Sequence, residues 1–309
     1  DYYADRYNTV IKADEITAVR GTQEGMAHLG MAILNPGDVV LLPDPGYPVF
    51  EAGSYLGGAE VYYYPLLREN NFLPVIEDIP EDVLNKTKYI VLSYPSNPVG
   101  ASAPKEMYVR MIEYAKKYNF AIINDNAYSD IIFDGREGFS FLSLPGAKDV
   151  GVEFFSLSKS YNVTGLRISF CIGNKSIIDA FKLLRSQYDF GMSYPAQKAA
   201  IAALRGPRDS VKAQCAEYQR RRDALLNGLR KYGWNVPDSH GTMFVWLPVP
   251  EGYTSASFTE ALMDKAGVIG TPGTAFGPLG EGYIRFALTK SAEELAVIAD
   301  VIGQSGVLS

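Results

Sequence analysis

Lys159 stands in SLSKSYNVTGLR (156–167), with Ser156 and Ser158 before it and Arg167 eight residues on. The stretch follows VGVEFF, which reads as a buried strand, and runs into LRISFCIG, which reads as another. A lysine at the mouth of a sheet, beside hydroxyl donors and an arginine whose planar fork suits phosphate, can form a Schiff base with a bound aldehyde. Three other polar stretches sit where apolar runs end. Gly21-Thr22, followed by Gln23, opens a helix whose N-terminus favours a phosphate. Asn97 in SYPSNPVG ends the run 88–95 and can donate into a crevice. Asp125 in NDNAY ends a buried run, with Tyr128 three residues later. A carboxylate there is costly unless a cation pairs with it, and a protonated ring nitrogen would serve. Each stretch alone also has an ordinary explanation: Thr22 as a helix cap, Asn97 as a turn residue, Asp125 as a turn cap. Together they ask for an aromatic, anionic, phosphorylated aldehyde with a basic ring nitrogen, and pyridoxal 5'-phosphate fits.

The elements that must position these residues alternate. TQEGMAHLGMAIL (22–34) carries apolar residues at helical spacing, VVLLP and AEVYYYP read as strands, and KYIVLSYP (88–95) reads as a buried one. A helix begins at Pro104, and FAIINDNAY runs from strand into turn. Strands are expected at 152–157 and 166–173, and helices at 175–188 and 194–205. This order predicts an α/β fold with a doubly wound, mostly parallel sheet, which binds ligands beyond the carboxyl ends of its strands. After RGPRD a long charged helix (209–232), the strand MFVWLPV, a helix at 255–266, YIRFAL and a closing helix at 291–302 read as a smaller α+β unit. The expected division is therefore a large domain, 1–208, and a small C-terminal domain, 209–309.

Composition narrows the function classes. Of 309 residues 47% are apolar and 21% charged, as in an ordinary globular protein, and the net charge of −6 argues against nucleic acid as a partner. No apolar run approaches the roughly 18–20 residues of a membrane span, so no membrane partner is expected. No signal-peptide pattern opens the sequence. Cys171 and Cys215 lack C-x-x-C spacing and read as free buried thiols in a reducing cytosol. His28 and His240 lack a metal-ligand neighbour at i+4, so no metal site is expected.

GTQE, PGYPVF, NPVG, DNAY, SLSKSYNVTGLR and GYIRFAL occur in the order seen in the class I and II aminotransferases, and the chain resembles that family, the fold type I pyridoxal phosphate enzymes, over essentially its whole length. The resemblance implies that Lys159 carries the cofactor and, once released, moves the substrate's α-proton. It implies that Asp125 pairs the ring nitrogen, that Asn97 and Tyr128 bond the phenolic oxygen, and that Tyr47 stacks on the ring. Gly21, Thr22, Ser156, Ser158 and Arg167 would hold the phosphate, while Arg285, with Asn97, would hold the substrate's α-carboxylate. The usual NPTG is NPVG here, which keeps Asn97 and loses a hydroxyl.

The family pattern carries several dozen residues ahead of its GTQE segment, and residues 1–19 do not match them, so that portion is expected to be absent from this sequence. The opening DYYADRYNTVIKADEIT reads as the tail of a helix entering a strand. The resemblance also implies a cytoplasmic homodimer with shared active sites, in which GMSYPAQ (191–197) approaches the partner's cofactor through Ser193 and Tyr194. Within the family, LPGAKDVGVEFFSLSKSYNVTGLR, FVWLPVPEGYTSASF and GTPGTAFGPLGEGYIRFALT resemble the LL-diaminopimelate aminotransferases of lysine biosynthesis most. The expected substrates are an amino acid and a 2-oxo acid, best matched by LL-diaminopimelate with 2-oxoglutarate. A broader aspartate or alanine aminotransferase, a C–S lyase on the same scaffold and a non-catalytic sensor module stand as alternatives.

Overall fold

The computed structural model describes residues 1–187, 189 and 191–308. Seven strands form the main sheet: β1 (Ile16–Val19), β2 (Val39–Asp44), β3 (Glu60–Pro65), β4 (Thr87–Ser93), β5 (Ala121–Asp125), β6 (Gly151–Ser156) and β7 (Ser169–Gly173). Their spatial order is β1-β7-β6-β5-β4-β2-β3. The pairs β3–β2, β2–β4, β4–β5 and β5–β6 are parallel, whereas β7 pairs antiparallel with both β6 and β1. Only β7 therefore runs against the rest, and the mostly parallel α/β sheet expected from the sequence is present.

The apolar runs are continuous because both faces of this sheet are covered. Alternate residues serve opposite cores: Leu41, Ile90, Leu92 and Ile122 pack on one face, and Val40, Leu42, Val91 and Ile123 on the other. The first core takes in Tyr108, Met111, Ile112 and Ala115 of helix Lys105–Tyr118; the second takes in Met26 and Leu29 of helix Thr22–Ile33 and Ile178 and Phe181 of helix Lys175–Arg185. Helices Thr22–Ile33 and Val49–Gly57 cross at glycines, where a Cβ on Gly30 would lie 2.0 Å from the Gly53 carbonyl oxygen.

The second sheet is small: β8 (Phe244–Pro248), β9 (Thr271–Pro272) and β10 (Tyr283–Ala287), in the antiparallel order β8-β10-β9. Helices Asp209–Lys231, Ser255–Ala266 and Ala292–Gln304 pack with it around Leu225, Leu229, Phe258, Leu262, Ile284 and Ala299. This core also draws in Ala127, Tyr128, Ile131 and Phe133 from the stretch after β5.

Three details differ from the sequence reading. The strand expected at 166–173 starts at Ser169, because Thr164–Leu166 forms a 3-10 turn and Arg167 takes a left-handed conformation with φ 51°. The helix expected over 175–188 ends at Arg185, and residue 188 lies outside the described residues. Of the two free cysteines, Cys171 is buried but Cys215 only half-buried, its Sγ donating to the Ile132 carbonyl at 3.2 Å. Among the described residues no helix is long and apolar enough to cross a membrane.

Candidate active site

Strand direction brings the chemistry together. β1, β2, β4, β5 and β6 end at one edge of the sheet, and β7 begins there, since Ser169 is the register partner of both Val19 and Ser156. Gly21 and Thr22 follow β1, Arg167 precedes β7, Lys159 follows β6, Asp125 closes β5, Asn97 follows β4 and Tyr47 follows β2. All of them line one cavity of about 210 Å³, together with Tyr128, Ser156, Ser158 and Arg285. Gln23, Ala127, Thr164 and Phe244 complete the wall. Ser193 and Tyr194 are exposed and do not line it; Ser193 precedes helix Tyr194–Arg205.

Lys159 owes its place to a cap. The Ser156 hydroxyl accepts from the Ser158 N–H at 3.1 Å and starts the one-turn helix Leu157–Ser160 as β6 ends. Ser169 Oγ donates to Ser156 Oγ at 3.0 Å from the neighbouring strand. Gln214, on helix Asp209–Lys231, donates from Nε2 to the Lys159 carbonyl at 2.8 Å. The ammonium is held below the usual lysine range, first by burial and then by the Arg167 charge, with Asp125 opposing. The amine is therefore more readily freed of its proton than on an open surface.

Asp125 is buried and accepts only the Ala127 N–H, at 3.3 Å, with no ion pair among the described residues. Burial pushes its carboxyl up to about 7, while that hydrogen bond and Lys159 hold it down. A buried carboxylate so placed calls for a cationic donor. Burial, and then the nearby Asp125, raises the Tyr128 phenol.

The opposite end is cationic. Arg167 donates from Nη1 to the Thr164 carbonyl and from Nη2 to the Arg20 carbonyl, each at 3.1 Å. Its guanidinium lies against Gly21, where a Cβ would be 1.9 Å from Nη2 and φ is +102°. Only glycine allows this fork to reach the N-terminus of helix Thr22–Ile33. Gln23 Nε2 donates to Tyr47 Oη at 2.7 Å and fixes that ring at the mouth.

Arg285, on β10, donates from Nη1 to Asn97 Oδ1 at 2.8 Å. Among the described residues its buried Nε has no partner, and burial lowers the guanidinium's proton affinity. The donor set thus fits a phosphorylated ring with a protonatable nitrogen: an anion at Arg167, Ser158 and the helix N-terminus, and the nitrogen at Asp125. Sequence reasoning missed Gln214, Phe244 and Thr164. Gln214 sits in the second turn of its helix beside the buried Val211 and Tyr218, and Phe244 in an ordinary apolar strand, and neither offered a local signal.

A lysine amine, a buried carboxylate and two arginines in one strand-end crevice suit an enzyme that transfers groups at the α-carbon of an amino acid. Residues 1–302 match the family described as aminotransferase class I and II. The LL-diaminopimelate aminotransferase of Dehalococcoides mccartyi (strain 195) is 48% identical over 296 residues, covering 96% of this chain and 76% of that protein. The enzyme of the same name from Aquifex aeolicus is 42% identical over 303 residues, covering 98% and 78%. The substrate-bound structure of BacF from Bacillus subtilis superposes with a TM-score of 0.96 at 35% identity, covering 99% of this chain and 78% of that one. The chain belongs to the class I and II aminotransferases, a family whose members generally depend on pyridoxal phosphate, and it is an aminotransferase.

Proposed function

We propose that this aminotransferase uses pyridoxal 5'-phosphate to move an amino group from LL-diaminopimelate to 2-oxoglutarate, in lysine biosynthesis. The observation that carries the cofactor is Asp125, a buried carboxylate with no ion pair among the described residues, in the same cavity as Lys159 and Arg167. When bound, the cofactor supplies a carbonyl carbon that takes up nitrogen and a ring that accepts electrons. Arg167, Ser156, Ser158, Gly21 and Thr22 would hold its phosphate. Asp125 would pair the ring nitrogen as a carboxylate, Asn97 and Tyr128 would bond the phenolic oxygen, and Tyr47 would cover the ring face. Arg285, with Asn97, orients the α-carboxylate of both substrates by paired in-plane hydrogen bonds. Lys159 Nζ takes the proton from the substrate's α-carbon and later returns one, acting as base and then acid. Its depressed proton affinity suits both roles.

The donor rests on the names and similarity of the relatives from Dehalococcoides mccartyi and Aquifex aeolicus. Diaminopimelate has a second amino and carboxyl group at its distal end, and a site built to pair them leaves polar groups unsatisfied with alanine. We place the division between the two domains at 208/209. We read the enzyme as a cytoplasmic homodimer in which Ser193 and Tyr194 face the partner's site, and a sedimentation measurement tests the dimer. The substrate reading is tested by kcat/KM for LL-diaminopimelate, aspartate and alanine with 2-oxoglutarate as acceptor. Diaminopimelate should exceed the others by at least about a hundredfold; parity among the three contradicts the assignment.

A further inference from the structure

We infer that Phe244 and Phe276 form an aromatic clamp that positions the Arg285 guanidinium for its substrate and takes the place of a counter-carboxylate. The inference rests on the reading of Arg285 as the α-carboxylate site and deepens it. Arg285 Cζ lies over the Phe244 ring at 4.0 Å from its centroid, and over the Phe276 ring at 4.5 Å. Among the described residues no carboxylate lies within ion-pair distance of Arg285, and its one hydrogen bond goes to the neutral Asn97 amide. Nε is buried with no hydrogen-bond partner among the described residues.

The rings are themselves held. Arg285 is the register partner of Trp246, and Phe244 stands two residues before Trp246 on β8, so the three share one face of the small sheet. Phe276 meets Trp246 edge-on, with centroids 5.8 Å apart at 76°, and Trp246 stacks on Tyr283 at 5.2 Å and 13°. The Phe276 carbonyl accepts from Gly46 N–H at 2.7 Å, which ties this ring to the turn that carries Tyr47.

A half-buried cation without a counter-charge is costly. A carboxylate partner would remove that cost, but it would occupy the N–H edge that the substrate must use. Ring faces stabilise the cation through their quadrupole without taking up its N–H donors, which hydrogen-bond within the guanidinium plane. The clamp therefore holds the charge in place and leaves its in-plane donors for the incoming carboxylate. Phe244 and Phe276 are positioning residues that act through Arg285.

The test uses the holoenzyme. Phe244→Leu and Phe276→Leu should each raise KM for the amino acid and for the 2-oxo acid in parallel, by about three- to thirtyfold, with kcat changed far less. The Kd for succinate, measured by calorimetry, should rise by a similar factor. Phe244→Tyr, which keeps the ring face, should restore both constants. A purely structural role would lower thermal stability and kcat, without a parallel rise in the two KM values or rescue by Tyr. Phe244→Met, bulky but ringless, replaces the Leu variant if that variant unfolds. If Arg285→Leu cripples binding of both substrates while the ringless variants bind them normally, the clamp is refuted and the reading of Arg285 stands. If Arg285→Leu leaves both KM values unchanged, the reading of Arg285 falls and the clamp falls with it.

Discussion

Replacing Asp125 by Asn should make the cofactor-free protein more stable while removing most of its turnover. Burial pushes the Asp125 carboxyl up from 3.8 to about 7. For an acid whose folded-state value is raised, the cost of ionisation is absent below the ordinary value. It grows as pH climbs between the two values and is complete above the folded one. The shift from 3.8 to about 7 corresponds to about 4 kcal/mol at pH 8 and to almost nothing at pH 4. Asn keeps the shape, and its carbonyl can still accept the Ala127 N–H. Urea unfolding of the two cofactor-free proteins at several pH values reads the difference. The variant should gain a few kcal/mol at pH 8, and the gain should shrink steadily as pH falls towards 4. With cofactor bound the preference reverses, because the carboxylate has its cation, and turnover should fall at least about a hundredfold in the variant. A cofactor-free variant that is no more stable at pH 8, or whose advantage is independent of pH, refutes the reasoning.

Two further outcomes follow from the geometry. Gly21→Ala places a methyl where the Arg167 guanidinium now lies and forces alanine to φ +102°. It should cost about 1–3 kcal/mol in unfolding free energy, and should weaken cofactor binding by at least about tenfold, read by fluorescence titration. Glu153 is buried within β6 and accepts from Tyr3 Oη, Ser140 Oγ, Asn124 Nδ2 and the Phe141 N–H. Glu153→Gln turns one acceptor oxygen into a donor facing donors and should cost about 3 kcal/mol in urea unfolding. Cofactor affinity should barely change, and a large change would show that this network also shapes the cavity.

Much of this site was legible because the physics behind it is local. Lys159, Asp125, Asn97 and Gly21 each follow an apolar run, and in a parallel sheet such runs end at one edge. That edge could be inferred without knowing the strand order. The direction of β7 could not, since a short apolar run carries no sign of whether its partner runs parallel or antiparallel. Arg167 in a left-handed conformation hid the true start of that strand, because the residue is not one that usually adopts it. Partnerships spanning long separations were also hidden. The Tyr3–Glu153 bond joins residues 150 apart in the chain, and Gln214 reaches Lys159 from 55 residues away. Phe244 and Phe276 pack into cores as their type suggests, and only their distances to Arg285 show that they also flank a cation.

The central claim is that Lys159 Nζ moves the α-proton of a substrate held by Arg285. The direct measurement is exchange of that hydrogen with deuterated water, followed by proton NMR on the holoenzyme with the amino acid alone. The parent protein should exchange the α-hydrogen readily. Lys159→Ala should slow the exchange by at least about a thousandfold while substrate affinity, measured by calorimetry, stays within a few fold. Exchange at the parent rate in Lys159→Ala, with substrate bound, would contradict the account.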